Sequence, residues 1–173
     1  MKQIIKVKVL TEGCEPYILG KGDWIDLKAA EDTKIELPTA GLMKRHNIER
    51  RRDVTFTTAL IPLGVVIKLP KGMEAIVVPR SSSFKQFGFL QTNSVGVIDN
   101  TYSGPTDEWK MPILAIKDAE IFKGERICQF RIQPSQKATL WQKLKWLFSN
   151  GVKIKYVNDV NSPSRGGFGS TGK

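Results

Sequence analysis

Short stretches with a two-residue hydrophobic period run from one end of this chain to the other, and a chain so patterned builds half-buried β-strands. Ile5, Val7 and Val9 alternate with Lys6 and Lys8, and Val152, Ile154 and Tyr156 alternate with Lys153 and Lys155. Between them lie apolar runs at 64–69, 75–78 and 112–116, bounded by turn sequences: PLG at 62–64, PKG at 70–72 and KGE at 123–125. Many short strands punctuated in this way predict an all-β sandwich or barrel. One segment departs from the pattern. Over 139–149, Leu140, Leu144, Leu147 and Phe148 fall at helical spacing around Lys143 and Lys145, which predicts a short amphipathic helix ended by Asn150 and Gly151. Trp141 and Trp146 are expected to pack that helix onto the barrel. Residues 42–52 read as a second helix or an irregular loop. No repeat or linker divides the chain, so one domain is expected over 1–160, followed by a mobile tail over 161–173. The tail ends SPSRGGFGSTGK, with four glycines in its last eight residues, and cannot hold a fixed shape by itself.

Composition narrows the chemistry. At 173 residues, 40% hydrophobic and 25% charged, the chain can bury a core. It contains no continuous apolar run of the roughly 18 to 20 residues needed to span a membrane. The opening MKQIIKVKVL lacks the apolar block of a signal peptide, so a cytoplasmic protein is expected. Two cysteines far apart, Cys14 and Cys128, with the single histidine His46, do not supply a zinc site of the usual kind. They read as unpaired thiols, with Cys128 buried. The formal charge of +10 favours a phosphate-rich partner, and a nucleotide satisfies it as well as a nucleic acid does. The basic clusters Lys44, Arg45, Arg50, Arg51, Arg52 and Lys143, Lys145, Lys153, Lys155 read as solvated faces.

The chain has no GxxxxGK[ST] loop and no GxGxxG after a strand, and its lone histidine makes Ser-His-Asp or Cys-His catalysis remote. Chemistry must then come from carboxylates, amides, hydroxyls, arginines and backbone N–H groups. Four segments offer them. Pro79-Arg80-Ser81-Ser82-Ser83 joins a guanidinium to three hydroxyls suited to phosphate oxygens. NSVGVIDNTYSG at 93–104 runs through an apolar centre into Asp99 and Tyr102, and as a hairpin would present backbone donors and acceptors to a base edge. KGERICQFRI at 123–132 is a turn and a strand in which Gln129 and Arg131 alternate with Cys128, Phe130 and Ile132. RGGFGSTG at 165–172 exposes backbone N–H groups and offers the Phe168 ring for stacking on a base.

With Asp26-Leu27-Lys28-Ala29-Ala30 as a fifth, these segments resemble, in order and content, the motif set of the trimeric all-β dUTPases, over residues 24–172. The resemblance implies a distorted jelly-roll or β-barrel of the dUTPase type. It implies hydrolysis of dUTP to dUMP and pyrophosphate by attack of water on the α-phosphorus. Asp99 would hold and deprotonate that water, with Gln129 fixing it. Arg80, Ser81 and Ser82 would hold phosphates. Asn93, Val97, Ile98 and Asp99 would read the uracil and sugar, with Tyr102 under the deoxyribose. Phe168 would close over the base from a neighbouring subunit, with Arg165, Gly169, Ser170 and Thr171 at the phosphates. Mg²⁺ would ride on the triphosphate, with Asp26 reaching it through coordinated water. A homotrimer with shared sites follows, in a bacterial cell or, for a phage-encoded member, its host.

Three features depart from the family pattern. Arg165 abuts Gly166-Gly167 where family members commonly have two further residues, Trp24-Ile25 precedes Asp26 in place of a small-residue step, and there are insertions around 42–52 and 139–150. The insertions leave open a regulatory protein partner held through the basic and Trp-rich surface, as an alternative or a second role; no specific nucleic acid is expected. The related dCTP deaminases place a glutamate in their third motif, and VIDNTYSG has none.

Overall fold

The computed structural model describes residues 2–20, 22–36 and 57–167. The segment 42–52 and the residues Phe168, Gly169, Ser170 and Thr171 lie outside them. Among the described residues the chain forms thirteen strands and two short helices, the expected all-β architecture. No helix among them is long and apolar enough to cross a membrane.

Four sheets share one core. The first sets β1 (Gln3–Val9) between β13 (Val152–Tyr156) and β6 (Val65–Lys68), with β13 parallel to β1 and Ile5 opposite Ile154. The alternation read in the sequence is what buries this sheet: Ile5 and Val7 are inside while Ile4 and Lys6 face out. The second places β10 (Lys110–Ala115) between β5 (Thr57–Pro62) and β8 (Phe89–Gln91). The third pairs β4 (Thr33–Ile35) with β11 (Ala119–Ile121). The largest runs β2 (Tyr17–Ile18), β3 (Ile25–Lys28), β12 (Arg126–Pro134), β7 (Met73–Pro79), β9 (Gly96–Asp99). Trp109 and Phe130 meet edge to face at 5.1 Å in the centre, both fully buried, a geometry that aligns ring edge with ring face. The three turns expected from PLG, PKG and KGE each carry a glycine in the left-handed region: Gly64, Gly72 and Gly124.

Two local features differ from the sequence reading. Ser83–Phe87 forms a one-turn helix, α1, ended by Gly88 at φ +64°, where the sequence offered no long apolar period to reveal it. The second helix, α2 (Leu140–Leu147), forms within the expected segment, but its two tryptophans differ: Trp146 is 38% exposed, beside Ile132 and Pro134 of β12, whereas Trp141 stands out from the barrel. Trp141 is 75% exposed and no residue of α2 is buried. The helix is tied at both ends, with the Lys145 carbonyl accepting from Gln3 Nε2 at 3.4 Å near its C-terminus. Thr139 and Gln142 form a reciprocal capping box, and Gln142 lies over Gly72 so closely that a Cβ there would sit 2.3 Å from its Oε1. Cys128 is fully buried and its thiol is pushed far up by desolvation; Cys14 is buried too, and both are free.

Candidate functional site

The expected site residues fall into two clusters at opposite ends of β7. At one end, Asp26 sits on β3 with no exposed surface, and its Oδ2 accepts from Arg80 Nε at 3.1 Å and from Arg126 Nη1 at 3.2 Å. Arg80 also donates to the Arg126 carbonyl, and the Arg126 guanidinium lies 4.9 Å over the Tyr17 ring. Taking one carboxylate out of water beside two guanidiniums is tolerable only because the charges are paired. The other carboxylate oxygen, Oδ1, is buried without a partner. Ser83 is structural: its buried hydroxyl donates to the Ile127 carbonyl and accepts from the Arg80 N–H, which leaves Ser81 and Ser82 exposed beside the Arg80 side chain. Gln129 stands opposite Asp26 on β3 and Val78 on β7, and donates to the Pro79 carbonyl at 3.4 Å. Arg126 belongs to this cluster although no role was read for it from the sequence. A register shift in β12 between Arg126 and Cys128 breaks the simple alternation, and such a bulge re-aims a side chain.

The other end holds a cavity of about 240 Å³, below the roughly 300 Å³ at which drug-sized sites begin and so suited to one small ring and its attachment. Asn93, Val97, Ile98, Asp99 and Tyr102 all line it, with Gln91, Gly96 and the 110–112 stretch of β10 completing the wall. Gly96 packs closely here: a Cβ there would meet Gln91 Nε2 at 3.2 Å and Val77 Cβ at 3.3 Å, both tight contacts. Tyr102 donates from its hydroxyl to the Glu108 carbonyl at 2.9 Å, which fixes the ring in the cavity wall. At the mouth, Asp99 Oδ1 accepts from the Thr101 N–H at 2.7 Å and from the Thr101 hydroxyl, while Oδ2 is paired with Arg165. Burial alone would raise the Asp99 carboxyl, but the Thr101 hydroxyl and amide and the Arg165 guanidinium outweigh it and hold the group below its ordinary value. A carboxylate held ionised in this way stays in its base form across the neutral range.

The start of the C-terminal arm is tied to this end. Asp107 is fully buried, and its carboxylate accepts from the amides of Gly104 at 2.8 Å, Arg165 at 2.9 Å and Gly166 at 3.1 Å. The Ser164 hydroxyl meets the Thr106 hydroxyl at 2.8 Å, and Gly167 packs against the Tyr102 ring. Gly104 has to lack a side chain, since a Cβ would fall 2.1 Å from Ser164 Cα. Arg165 therefore lies on Asp99 and Thr101 of its own chain, at 3.0 Å from the Thr101 hydroxyl, and away from the arginine cluster. Asp107 and Thr101 were invisible to motif reading because their partners are backbone amides and a carboxylate brought near by the fold.

The register fixes how far apart the clusters are. Along β7, Asp99 is opposite Glu74, Gln129 is opposite Val78, and Arg80 follows the end of the strand. At about 3.3 Å per residue, Gln129 lies some 13 Å and Arg80 some 20 Å up the strand from Asp99. One chain does not bring Asp99 and Gln129 to a common water.

Known proteins resemble this chain in both sequence and fold. The dUTPase family profile matches residues 46–146. The SPbeta prophage-derived deoxyuridine 5′-triphosphate nucleotidohydrolase of Bacillus subtilis strain 168 is 42% identical over 170 residues, covering 97% of each chain. The crystal structure of the dUTPase from Streptococcus mutans superposes with a TM-score of 0.61 at 23% identity, over 78% of this chain and 98% of that one. The dUTPase of Staphylococcus bacteriophage 80alpha, described as controlling transfer of virulence genes by a proto-oncogenic G protein-like mechanism, gives 0.58 at 18% identity, over 79% and 93%. The two structures share the fold, and the profile and the prophage relative carry the assignment: this chain belongs to the dUTPase family.

Proposed function

We propose that the chain hydrolyses dUTP to dUMP and pyrophosphate, in sites each assembled from more than one copy. The observation that carries this reading is the pairing of a base-sized cavity, with the ionised Asp99 at its mouth, and a separate arginine and hydroxyl cluster about 20 Å along the same strand. A nucleotide seated in the cavity of one chain meets the arginine cluster of another, and three chains in cyclic arrangement close the set. Asn93, Val97 and Ile98 read the uracil edge, and Tyr102 sits under the deoxyribose. Asp99 takes the proton of the water that attacks the α-phosphorus. Gln129 of the adjoining chain steadies that water, and Arg80, Ser81 and Ser82 hold phosphate oxygens and stabilise charge on the leaving pyrophosphate. Arg165, now on Asp99, exchanges the carboxylate for phosphate when substrate arrives. Phe168, Gly169, Ser170 and Thr171 then close as a lid whose root is fastened by Asp107.

Among the described residues no group of three or more His, Cys, Asp or Glu side chains could hold a metal. The ion is then one that arrives with the triphosphate and keeps most of its waters. The unpartnered Oδ1 of Asp26 fits the acceptance of a hydrogen bond from one of that ion's waters, once Arg80 and Arg126 turn toward the phosphates. Mg²⁺ bound there would neutralise phosphate charge. The test is pyrophosphate release from dUTP, dCTP, dTTP and UTP, with and without magnesium. Rapid magnesium-dependent release from dUTP alone is expected; equal release from UTP would remove Tyr102 from its role against the 2′-hydroxyl, and no release at all would sink the reading.

The exposed apolar side chains Leu140, Trp141 and Leu147 of α2 and Phe148 just after it, beside Lys143 and Lys145, favour a second role, the holding of a regulatory protein with an acidic rim. Replacing residues 139–150 by a short polar turn is expected to leave pyrophosphate release intact and to abolish such binding. Loss of turnover in that variant would place α2 in the enzyme instead.

A further inference from the structure

Asn93 lines the cavity, yet an asparagine side chain is ambiguous. It can present either its N–H₂ donors or its carbonyl acceptor, and the two choices suit opposite base edges. The structure removes the ambiguity through Gln91, the last residue of β8. Gln91 Nε2 donates to the Val77 carbonyl at 3.3 Å and to Asn93 Oδ1 at 2.7 Å. A backbone carbonyl only accepts, so the prong of Gln91 that faces Val77 must be the nitrogen. The same nitrogen then claims the oxygen of Asn93, and Asn93 Nδ2 is left with no protein partner among the described residues. The arrangement is held at a cost, because Gln91 Oε1 is buried without a donor. Turning the amide over would set that oxygen against both the Val77 carbonyl and the Asn93 oxygen, which is worse. Gly96 packs close to the arrangement, where a Cβ would sit 3.2 Å from Gln91 Nε2 and press on it.

We infer that Gln91 is a positioning residue for base specificity: it locks the Asn93 amide with its donor toward the base, so that the cavity takes a ring carrying a 4-oxo acceptor and refuses one carrying a 4-amino donor. Uracil presents O4 as an acceptor where cytosine presents N4–H₂. A fixed donor rewards the first and leaves the second with two donors facing each other. Polarity is thereby relayed from the backbone of β7 to the base through two side-chain amides. This rests on the reading of the cavity as the uracil pocket.

The test compares kcat/KM for dUTP and dCTP, with competition by dUMP and dCMP supplying the same ratio where turnover of dCTP is too slow to time. In Gln91→Met the chain length is kept and the relay is cut, so Asn93 is free to turn. The preference for dUTP is expected to fall about tenfold, with the dUTP loss in KM far more than in kcat. Gln91→Glu should lower the preference further, because a carboxylate only accepts and draws Asn93 Nδ2 toward itself. Asn93→Ala serves as the reference. If it collapses the dUTP preference while both Gln91 variants stay within twofold of the wild type, the relay is wrong and the pocket reading stands. If Asn93→Ala itself leaves the preference intact, the pocket reading has failed.

Discussion

Asp99→Asn is expected to lower pyrophosphate release from dUTP about a thousandfold or more, with dUTP binding kept within a few-fold. The asparagine matches the aspartate in size and can still accept from the Thr101 amide and hydroxyl, so the turn from Asp99 to Tyr102 stays in place. It has no basicity, so the water loses the group that takes its proton. The pH dependence carries the same logic with a definite sign. The Asp99 carboxyl lies below its ordinary value of 3.8 in the free protein: burial pushes it up, but Thr101 and Arg165 pull it down by more. Asp99 is therefore ionised throughout the neutral and mildly acidic range, and kcat/KM should hold as pH falls until it drops below that ordinary value. Arg165→Ala removes one of the two lowering influences and should move the acid limb upward. Full turnover in Asp99→Asn, measured by single-turnover release, would remove Asp99 as the base.

Mixing two inactive chains is expected to restore activity. Asp99→Asn spoils the cavity end of a chain and leaves its arginine cluster whole; Arg80→Ala does the opposite. If each site takes its cavity from one chain and its phosphate cluster from the next, each half is intact in half of the chains. Co-refolding equal amounts should then return about a quarter of wild-type activity from two preparations that are each nearly dead. The separation of Asp99, opposite Glu74, from Gln129, opposite Val78, is what forces this outcome. A mixture no more active than its components would mean that a single chain completes its own site, and the reading of the two clusters as halves of different sites would be abandoned. Arg80→Ala also leaves Asp26 with Arg126 alone in a buried setting, so its folding should be checked by thermal melting before mixing.

These expectations draw unequally on sequence and structure. The strand periodicity at Ile5 and Val7, and the turn glycines Gly64, Gly72 and Gly124, were legible because local steric rules and a half-buried face act within a few residues. The α2 segment was legible for the same reason, while the Thr139 and Gln142 capping box emerged only with the structure. The exposure of the helix was not legible, because an apolar stripe says that a face can be buried and not that the barrel offers a surface to bury it. The five motif segments, as a set, pointed to the family and to Asp99, Asn93, Tyr102, Gln129 and Arg80. Each of those residues carries a functional group whose chemistry is fixed by its type.

The all-β architecture, its turns and the inventory of reactive groups could thus be read along the chain, since they follow from nearest neighbours and from side-chain chemistry. The tertiary structure alone decided who meets whom. Pairing of β7 with β9 and β12 set Asp99 and Gln129 apart, the bulge in β12 delivered Arg126 to Asp26, and the fold brought Asp107 to the amides of Arg165 and Gly166. Those contacts span tens of residues, and a hydrogen bond's partner depends on positions within a few tenths of an ångström, which no local pattern specifies. The same holds for Gln91, an ordinary strand residue in the sequence, whose nitrogen is turned by a carbonyl fourteen positions away.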